Sequence, residues 1–412
     1  MSYYDLGTFT RAITTSSPEA QIWFDRGLNW VYAYNHQEAV NCFKKASELD
    51  PACAMAHWGI SYAAGPNYNL PWHRYDPVGK ARALAASYDA MQDALKHADG
   101  ATALEQDLIH ALPARYPQRE AIDDQAAWND DYTDAMRDVM KKYPEDLEVL
   151  TVFIEAIMNQ TPWKMWDLKT GGIAEGAGTA EAVEVMDAIF AKIPASWDHP
   201  GFLHLYVHLM EMSPFPQKAL RAGDRLRDLV PDAGHLIHMP THIDVLCGQY
   251  RDVVVYNQKA SIADRKFLER EGAVNVYAMY RTHNYHFTIY GAMFLGQYTP
   301  AIEAAQELID TTPEELLKVP SPPMADFIEG YLPMKQHVLV RFGKWDEIIA
   351  QDLPEDRDLY CSTTAMILYA KSVAHSAQGN VAAAEREREA FLAAKANVKD
   401  SRRVHNNTVK DI

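Results

Sequence analysis

Cysteine is scarce in this chain: four residues, Cys42, Cys53, Cys247 and Cys361, lie far apart with no CxxC spacing. That argues against a disulfide framework and against a thiolate zinc site, and leaves reduced packing residues. Positive charge is also in deficit, with 39 Lys and Arg against 56 Asp and Glu for a formal net charge of -17. Nucleic-acid affinity comes from clustered Lys and Arg, so this balance argues against a nucleic-acid partner and suits a cation or a small molecule. No apolar run approaches membrane-spanning length, and the opening MSYYDLGTFTRAITTSSPEAQ lacks the basic, apolar, small-residue order of a signal peptide. The expectation is a cytoplasmic protein with no membrane partner. A nucleophile elbow, a glycine-rich phosphate loop and a dinucleotide fingerprint are missing as well. What is plentiful is apolar material, 48% of 412 residues. That is enough for a large core in two or three domains or in one extended repeat array.

A repeat is present. Between Glu19 and Cys53, Trp23, Gly27, Trp30, Ala39, Phe43, Ala46 and Pro51 fall at fixed offsets, with small residues where two helices must approach and large ones beside them. In these residues the sequence resembles the tetratricopeptide repeat family, which implies an all-α, right-handed solenoid of stacked helix pairs. Later units are phased by Tyr143-Pro144 and Val230-Pro231 and by recurring turns: Gly248-Gln249-Tyr250, Gly296-Gln297-Tyr298 and Gly343-Lys344-Trp345. A last helix pair is expected around Gly379-Asn380. The organisation predicted is one superhelical domain over residues 1–396 with a polar tail over 397–412. Two Gly-, Pro- and Trp-rich inserts, at about 65–77 and 161–179, read as loops covering the concave opening.

Histidines carry the chemical signal. His204, His208 and Glu211 occur in HLYVHLME, then His235, His238 and His242 in GHLIHMPTHI, then His283 and His286 in THNYHF. Positions i and i+4 share a helix face, so His204/His208 and His238/His242 are preorganised pairs. The step from His204 to His238 is 34 residues, one tetratricopeptide period, and His208 to His242 repeats it. Aligning the two Gly-Gln-Tyr turns gives a step of 48 residues, which maps His235 to His283, His238 to His286 and His242 to Tyr290. The family resemblance implies that these helices line the concave surface, so the imidazoles converge there. The competing reading is a packing histidine copied with the repeat, but four or more buried imidazoles need polar partners.

The candidate metal ligands are therefore His204, His208, His238, His242, His283 and His286, with Glu211 and Tyr290 as candidate catalytic groups. Imidazole sets suit Cu, Fe or Zn, as one centre or as two three-histidine centres. Phasing places Glu155 at the repeat position of His208. With His57, Asn67, Asn69, Trp163 and His235 it forms the candidate substrate wall. Pro240, inside the second pair's helix, should kink it. The motifs HLxxHxxE, GHLxHMPxHI, HNYHF and MAHWGIxYAxGPNYN resemble a group of bacterial and fungal tetratricopeptide proteins; this implies a shared inward-facing histidine site and nothing about substrate. The leading expectation is a metal-dependent enzyme acting on a small organic molecule, an oxidoreductase because carboxylates are few beside the imidazoles. The alternatives are a metal-dependent hydrolase or lyase, or a non-catalytic scaffold for a peptide or protein, either of which can be a homo-oligomer.

Overall fold

A computed structural model describes residues 3–403 and 407–408. The expected all-α class holds: among the described residues there are helices, turns and isolated bridges such as Trp166 with Ile173 and Pro320 with Pro323, and no strand. No helix is long and apolar enough to cross a membrane. The four cysteines form no disulfide. The chain divides into two compact units, Met1–Cys247 and Gly248–Ile412.

The first unit contains α1 (Pro18–Tyr32), α2 (His36–Leu49), α3 (Ala54–Ala64), α4 (Pro77–His97), α5 (Ala103–Arg115) and α6 (Ala126–Lys142). It continues with α7 (Leu147–Gln160), α8 (Thr179–Lys192), α9 (Pro200–Met210), α10 (Leu220–Leu226), α11 (Gly234–His238) and α12 (Pro240–Leu246). Helices open where the sequence offers caps. Ser17 accepts from the Ala20 N–H ahead of Pro18, and Thr102 and Glu105 form a reciprocal capping box on α5. From α1 to α4 and from α5 to α7 each helix packs on the next, the pattern of a stacked helix-pair array. The repeat's small residues act as expected. A Cβ on Gly27 would lie 2.6 Å from the Phe43 ring, and one on Gly59 equally close, so that ring is clasped between α1 and α3.

The first unit departs from an open array in one respect. Units of an extended solenoid touch only their neighbours, yet α9 packs directly on both α1 and α7. Gly201 allows the approach: a Cβ there would lie 2.4 Å from the Tyr32 ring. The N-terminal segment closes the same seam, because the Asp232 N–H donates to the Asp5 carbonyl at 2.9 Å and the Asp5 N–H donates to Asp232 Oδ2 at 2.8 Å. The inward helix faces are consequently core, and do not line an open groove. Pro240 acts as expected, and the helix breaks at Met239 into α11 and α12.

The second unit holds α13 (Tyr250–Glu271), α14 (Ala278–Phe294), α15 (Tyr298–Asp310), α16 (Glu314–Leu317), α17 (Met324–Ile328), α18 (Met334–Arg341), α19 (Trp345–Ile349), α20 (Cys361–Ala377) and α21 (Val381–Ala396). The turns expected after α14, α18 and α20 are present, with Gly296, Gly343 and Gly379 at φ of 69°, 66° and 76° closing the helix ends. The segment after α21 is only in part a polar tail. Arg402 is buried, donates to Asp326 Oδ1 at 2.8 Å and to the Leu359 carbonyl at 3.0 Å, and so ties residues 397–403 to the unit. The remainder of that tail, apart from 407–408, lies outside the described residues.

Candidate metal centre

Helix α9 starts at Pro200, with His199 Nδ1 accepting from the Phe202 N–H, and runs apolar on nearly every face, as a helix buried all round must. His204 and His208 sit one turn apart on it, with ring centroids 4.7 Å apart. Short α11 brings His235 to within 5.0 Å of the His204 ring. One ring nitrogen from each of His204, His208 and His235 lies within 4.8 Å of the other two. The three rings are 1% exposed, so any polar atom among them must find a partner inside the protein.

The partners define the tautomers. His204 Nδ1 is 2.6 Å from the Tyr32 carbonyl oxygen, which can only accept, so Nδ1 carries the hydrogen and Nε2 keeps its lone pair. His208 Nδ1 donates in the same way to Glu211 Oε1 at 2.7 Å. Nε2 of both rings is buried without a hydrogen-bond partner. Burial drives the His204 imidazole far below its ordinary pKa, with the neighbouring His208 adding to the effect, and burial likewise lowers that of His208. Both are therefore neutral at pH 7 and present lone pairs, the form that ligates a metal.

Glu211, the residue that ends α9, braces two histidines at once. Its Oε1 takes the His208 N–H, and its Oε2 lies 2.6 Å from His242 Nδ1 on α12. Burial works against its ionisation, but the attraction of His242 and His208 and their hydrogen bonds outweigh it and hold the carboxyl well below the usual range. His242 Nε2 in turn lies 3.0 Å from His238 Nε2. Glu211 thus acts behind the imidazoles, orienting them as carboxylates do behind metal-bound histidine. His238 also stacks on His235, with centroids 5.9 Å apart and planes 29° apart.

Three aromatic residues wall the triad. Tyr34 stacks on His208 and His235 at 5.6 and 5.5 Å and lies 4.6 Å from His204. Tyr68 lies 5.1 Å from His208 and stacks on Trp163, whose ring meets His208 edge-on at 5.8 Å. Tyr34 and Trp163 have φ of 54° and 61°, and they are the only non-glycine residues with positive φ among those described. Each such conformation costs about 1–3 kcal/mol and persists where surrounding structure enforces it, most often at a functional site. That both occur against one imidazole cluster marks this cluster out.

Beside the triad lies a small cavity whose free core is about 20 Å³, room for one or two water molecules. His204, Tyr32, Tyr34, Tyr62, Glu148 and Glu155 line it together with apolar residues. Glu148 and Glu155 are two turns apart on α7. Tyr32 donates to Glu148 and Tyr62 to Glu155.

The sequence-derived candidates fall into three groups. His204, His208, His235, His238, His242, Glu211 and Trp163 come together in the first unit, with His235 beside His204 and His208 in the triad. Glu155 shares the cavity wall with His204. The loop residues serve local structure: Asn67 Oδ1 accepts from the Asn69 and Leu70 N–H groups at 2.9 Å and so shapes its own turn, and Asn69 lies in that turn. His57 donates to or accepts from no triad residue; its Nε2 lies 3.0 Å from the Pro51 carbonyl and its ring stacks on His97. His283, His286 and Tyr290 belong to α14 of the second unit, where His283 packs on Phe287 and His286 on Tyr331. Tyr290 is 36% exposed and packs on Phe294. Sequence reasoning missed Tyr34 and Tyr68, and the Tyr–Glu pairs on α7. The signal available for Tyr34 was only its place in the α1–α2 turn, one residue before the Asn35 cap.

A metal fits the triad. One nitrogen from each of the three rings lies within 4.8 Å of the other two, and ligation at about 2.0–2.1 Å requires the nitrogens to draw together by about 1 Å. An all-imidazole set, with the one nearby carboxylate engaged in bracing, suits Zn, Cu or Fe.

No protein-family model matches the chain, and no curated protein matches it. Among solved structures it is similar to a chain of the APC/C hetero-tetramer Cut9–Hcn1, at 13% identity over 92% of this chain and 67% of that one, with a TM-score of 0.31. It is also similar to the P58(IPK) TPR domain, at 14% identity over 91% of this chain and 92% of that one, with a TM-score of 0.21. Scores of this size carry no argument about function.

Proposed function

We propose that this protein binds one transition-metal ion on His204, His208 and His235 and uses it to act on a small molecule, as an oxidoreductase. The observation that carries the reading is the pair of buried Nε2 atoms on His204 and His208. Each keeps its lone pair because an acceptor holds the hydrogen on Nδ1, and neither has a hydrogen-bond partner. Leaving buried acceptors unsatisfied is costly, about 1–3 kcal/mol each, and a bound ion removes that cost. Three neutral ligands leave coordination positions open for water, dioxygen or substrate. The ion would supply Lewis acidity or, for copper or iron, electron transfer. The chain's own residues do the rest: Glu211 fixes ring orientation, Tyr34, Tyr68 and Trp163 restrict access by bulk water, and the cavity beside His204 has room for a species the size of one or two waters.

Elemental analysis of protein purified without a histidine tag tests this. The expected result is about one equivalent of Cu, Fe or Zn per chain, falling below a tenth in His204→Ala and His208→Ala with helicity retained. Native protein that neither contains nor takes up a stoichiometric transition metal would leave the scaffold reading in its place.

A further inference from the structure

Two histidines beside the triad take no part in it. His238 ends α11 and His242 lies in the first turn of α12, on either side of the break at Met239. Their Nε2 atoms are 3.0 Å apart while their ring centroids are 4.9 Å apart, so each ring turns that nitrogen toward the other. His242 Nδ1 lies 2.6 Å from Glu211 Oε2, and a carboxylate only accepts. The hydrogen therefore sits on Nδ1, and His242 Nε2 keeps its lone pair. In metal-free protein the short contact is then a hydrogen bond from His238 Nε2–H to His242 Nε2.

The same separation suits a shared ion. Two imidazoles ligating one ion at about 2.0–2.1 Å hold their nitrogens about 2.9 Å apart in adjacent positions of a tetragonal set and about 3.3 Å apart in a tetrahedral one. The observed 3.0 Å falls between these values, so the pair needs far less movement than the triad. Entry of an ion requires only a change of tautomer at His238: its Nε2–H bond breaks, an Nδ1–H bond forms, and the ring stays neutral. The carboxylate behind His242 orients that ring and raises its basicity, as it does for His208. The His242 side chain is 14% exposed, whereas the triad rings are 1% exposed. Water can therefore complete the coordination of an ion here, and two imidazoles with water oxygens are a donor set for copper(II).

The pair and the triad are joined in two ways. Glu211 takes an N–H from each, through Oε1 to His208 and through Oε2 to His242. His238 also stacks on His235 with centroids 5.9 Å apart, so ions ligated by these two rings are no more than about 12 Å from each other. One carboxylate lies among five neutral imidazoles, and a second divalent ion enters against the repulsion of the first, so it binds more weakly. We infer that His238 and His242 hold a second, water-bearing transition-metal ion, and that Glu211 joins this pair to the triad as one two-ion centre. This rests on the metal-binding reading above and deepens it: purified protein carries the first ion, and the second enters when metal is supplied.

Copper(II) titration followed by electron paramagnetic resonance, on full-length protein stripped with chelator, tests this. Wild-type protein should give the spectrum of isolated copper at one equivalent, and the second equivalent should broaden it by dipolar coupling. His238→Phe keeps an aromatic ring against His235 and should bind the first copper as wild type does, with no broadening at two equivalents. A wild-type spectrum whose linewidth is unchanged by the second equivalent overturns this inference alone, and this readout stands even where the variant folds poorly. Broadening that persists in folded His238→Phe also overturns it, because the second copper then lies elsewhere. Failure of wild-type protein to bind copper at one equivalent overturns the metal reading and this inference together.

Discussion

Glu211 offers the sharpest test of how the site is built. Two imidazole N–H groups, at 2.7 and 2.6 Å, share one buried carboxylate. Glu211→Ala removes the acceptor of both N–H groups, at about 1–3 kcal/mol each, so metal-free protein should lose roughly 2–6 kcal/mol of stability. Glu211→Gln is the more informative change. Its amide oxygen can accept from one ring only, and its NH₂ group then opposes the N–H of the other. Relief requires that second imidazole to move its hydrogen to Nε2, and for His208 this is the nitrogen assigned to the metal. The amide should therefore cost only about 1–2 kcal/mol in stability yet weaken metal binding by roughly 10–100-fold. Urea denaturation in chelator measures the first quantity, and competition titration against a chromophoric chelator measures the second. A Glu211→Gln protein that keeps wild-type metal affinity within about twofold would falsify the tautomer argument, whatever its stability.

Three further outcomes are expected. Gly201→Ala places a Cβ 2.4 Å from the Tyr32 ring and should push α9 off α1, costing about 1–3 kcal/mol in thermal denaturation and weakening metal binding; a variant within 0.5 kcal/mol, in order-of-magnitude terms, would show the seam to be loose. Burial lowers His36 from 6.5 to about 4. An unfolded chain takes up that proton first as pH falls, so the stability contributed is full above about 6.5 and is lost between there and about 4, amounting to about 3 kcal/mol; His36→Asn should flatten the stability-versus-pH curve in that window. His97→Ala, whose ring stacks on His57 and is no part of the triad, should keep full metal content by elemental analysis, and loss of metal there would contradict the assignment of the triad.

The helical class and the first repeat were legible because they depend on local pattern. Gly27, Phe43 and Gly59 meet through contacts between consecutive helices, and spacing alone specifies such contacts. The i, i+4 pairs His204/His208 and His238/His242 were legible for the same reason, and so was Glu211 as a carboxylate near them, although its place behind His208 and His242 was not. What spacing could not convey was the closure of the first unit, since α1 meets α9 through residues as far apart as Tyr32 and Gly201. For that reason Tyr34 went unnoticed, and the imidazoles were expected on an open concave face. His235 was assigned to substrate because its approach to the His204 ring, at 5.0 Å, is a contact between helices that no repeat register encodes. His57 was drawn in by its neighbour motif, although it faces His97 and the Pro51 carbonyl.

The reciprocal backbone and side-chain bonds between Asp5 and Asp232 have a consequence for biogenesis. An ordinary helix-pair array can condense unit by unit as it leaves the ribosome, because each pair needs only the one before it. Here the opening residues must wait for a partner more than two hundred positions downstream, and until it arrives the apolar faces of α1 and α7 have no α9 to cover them. The site histidines therefore come together late, on a nearly finished unit of the nascent chain.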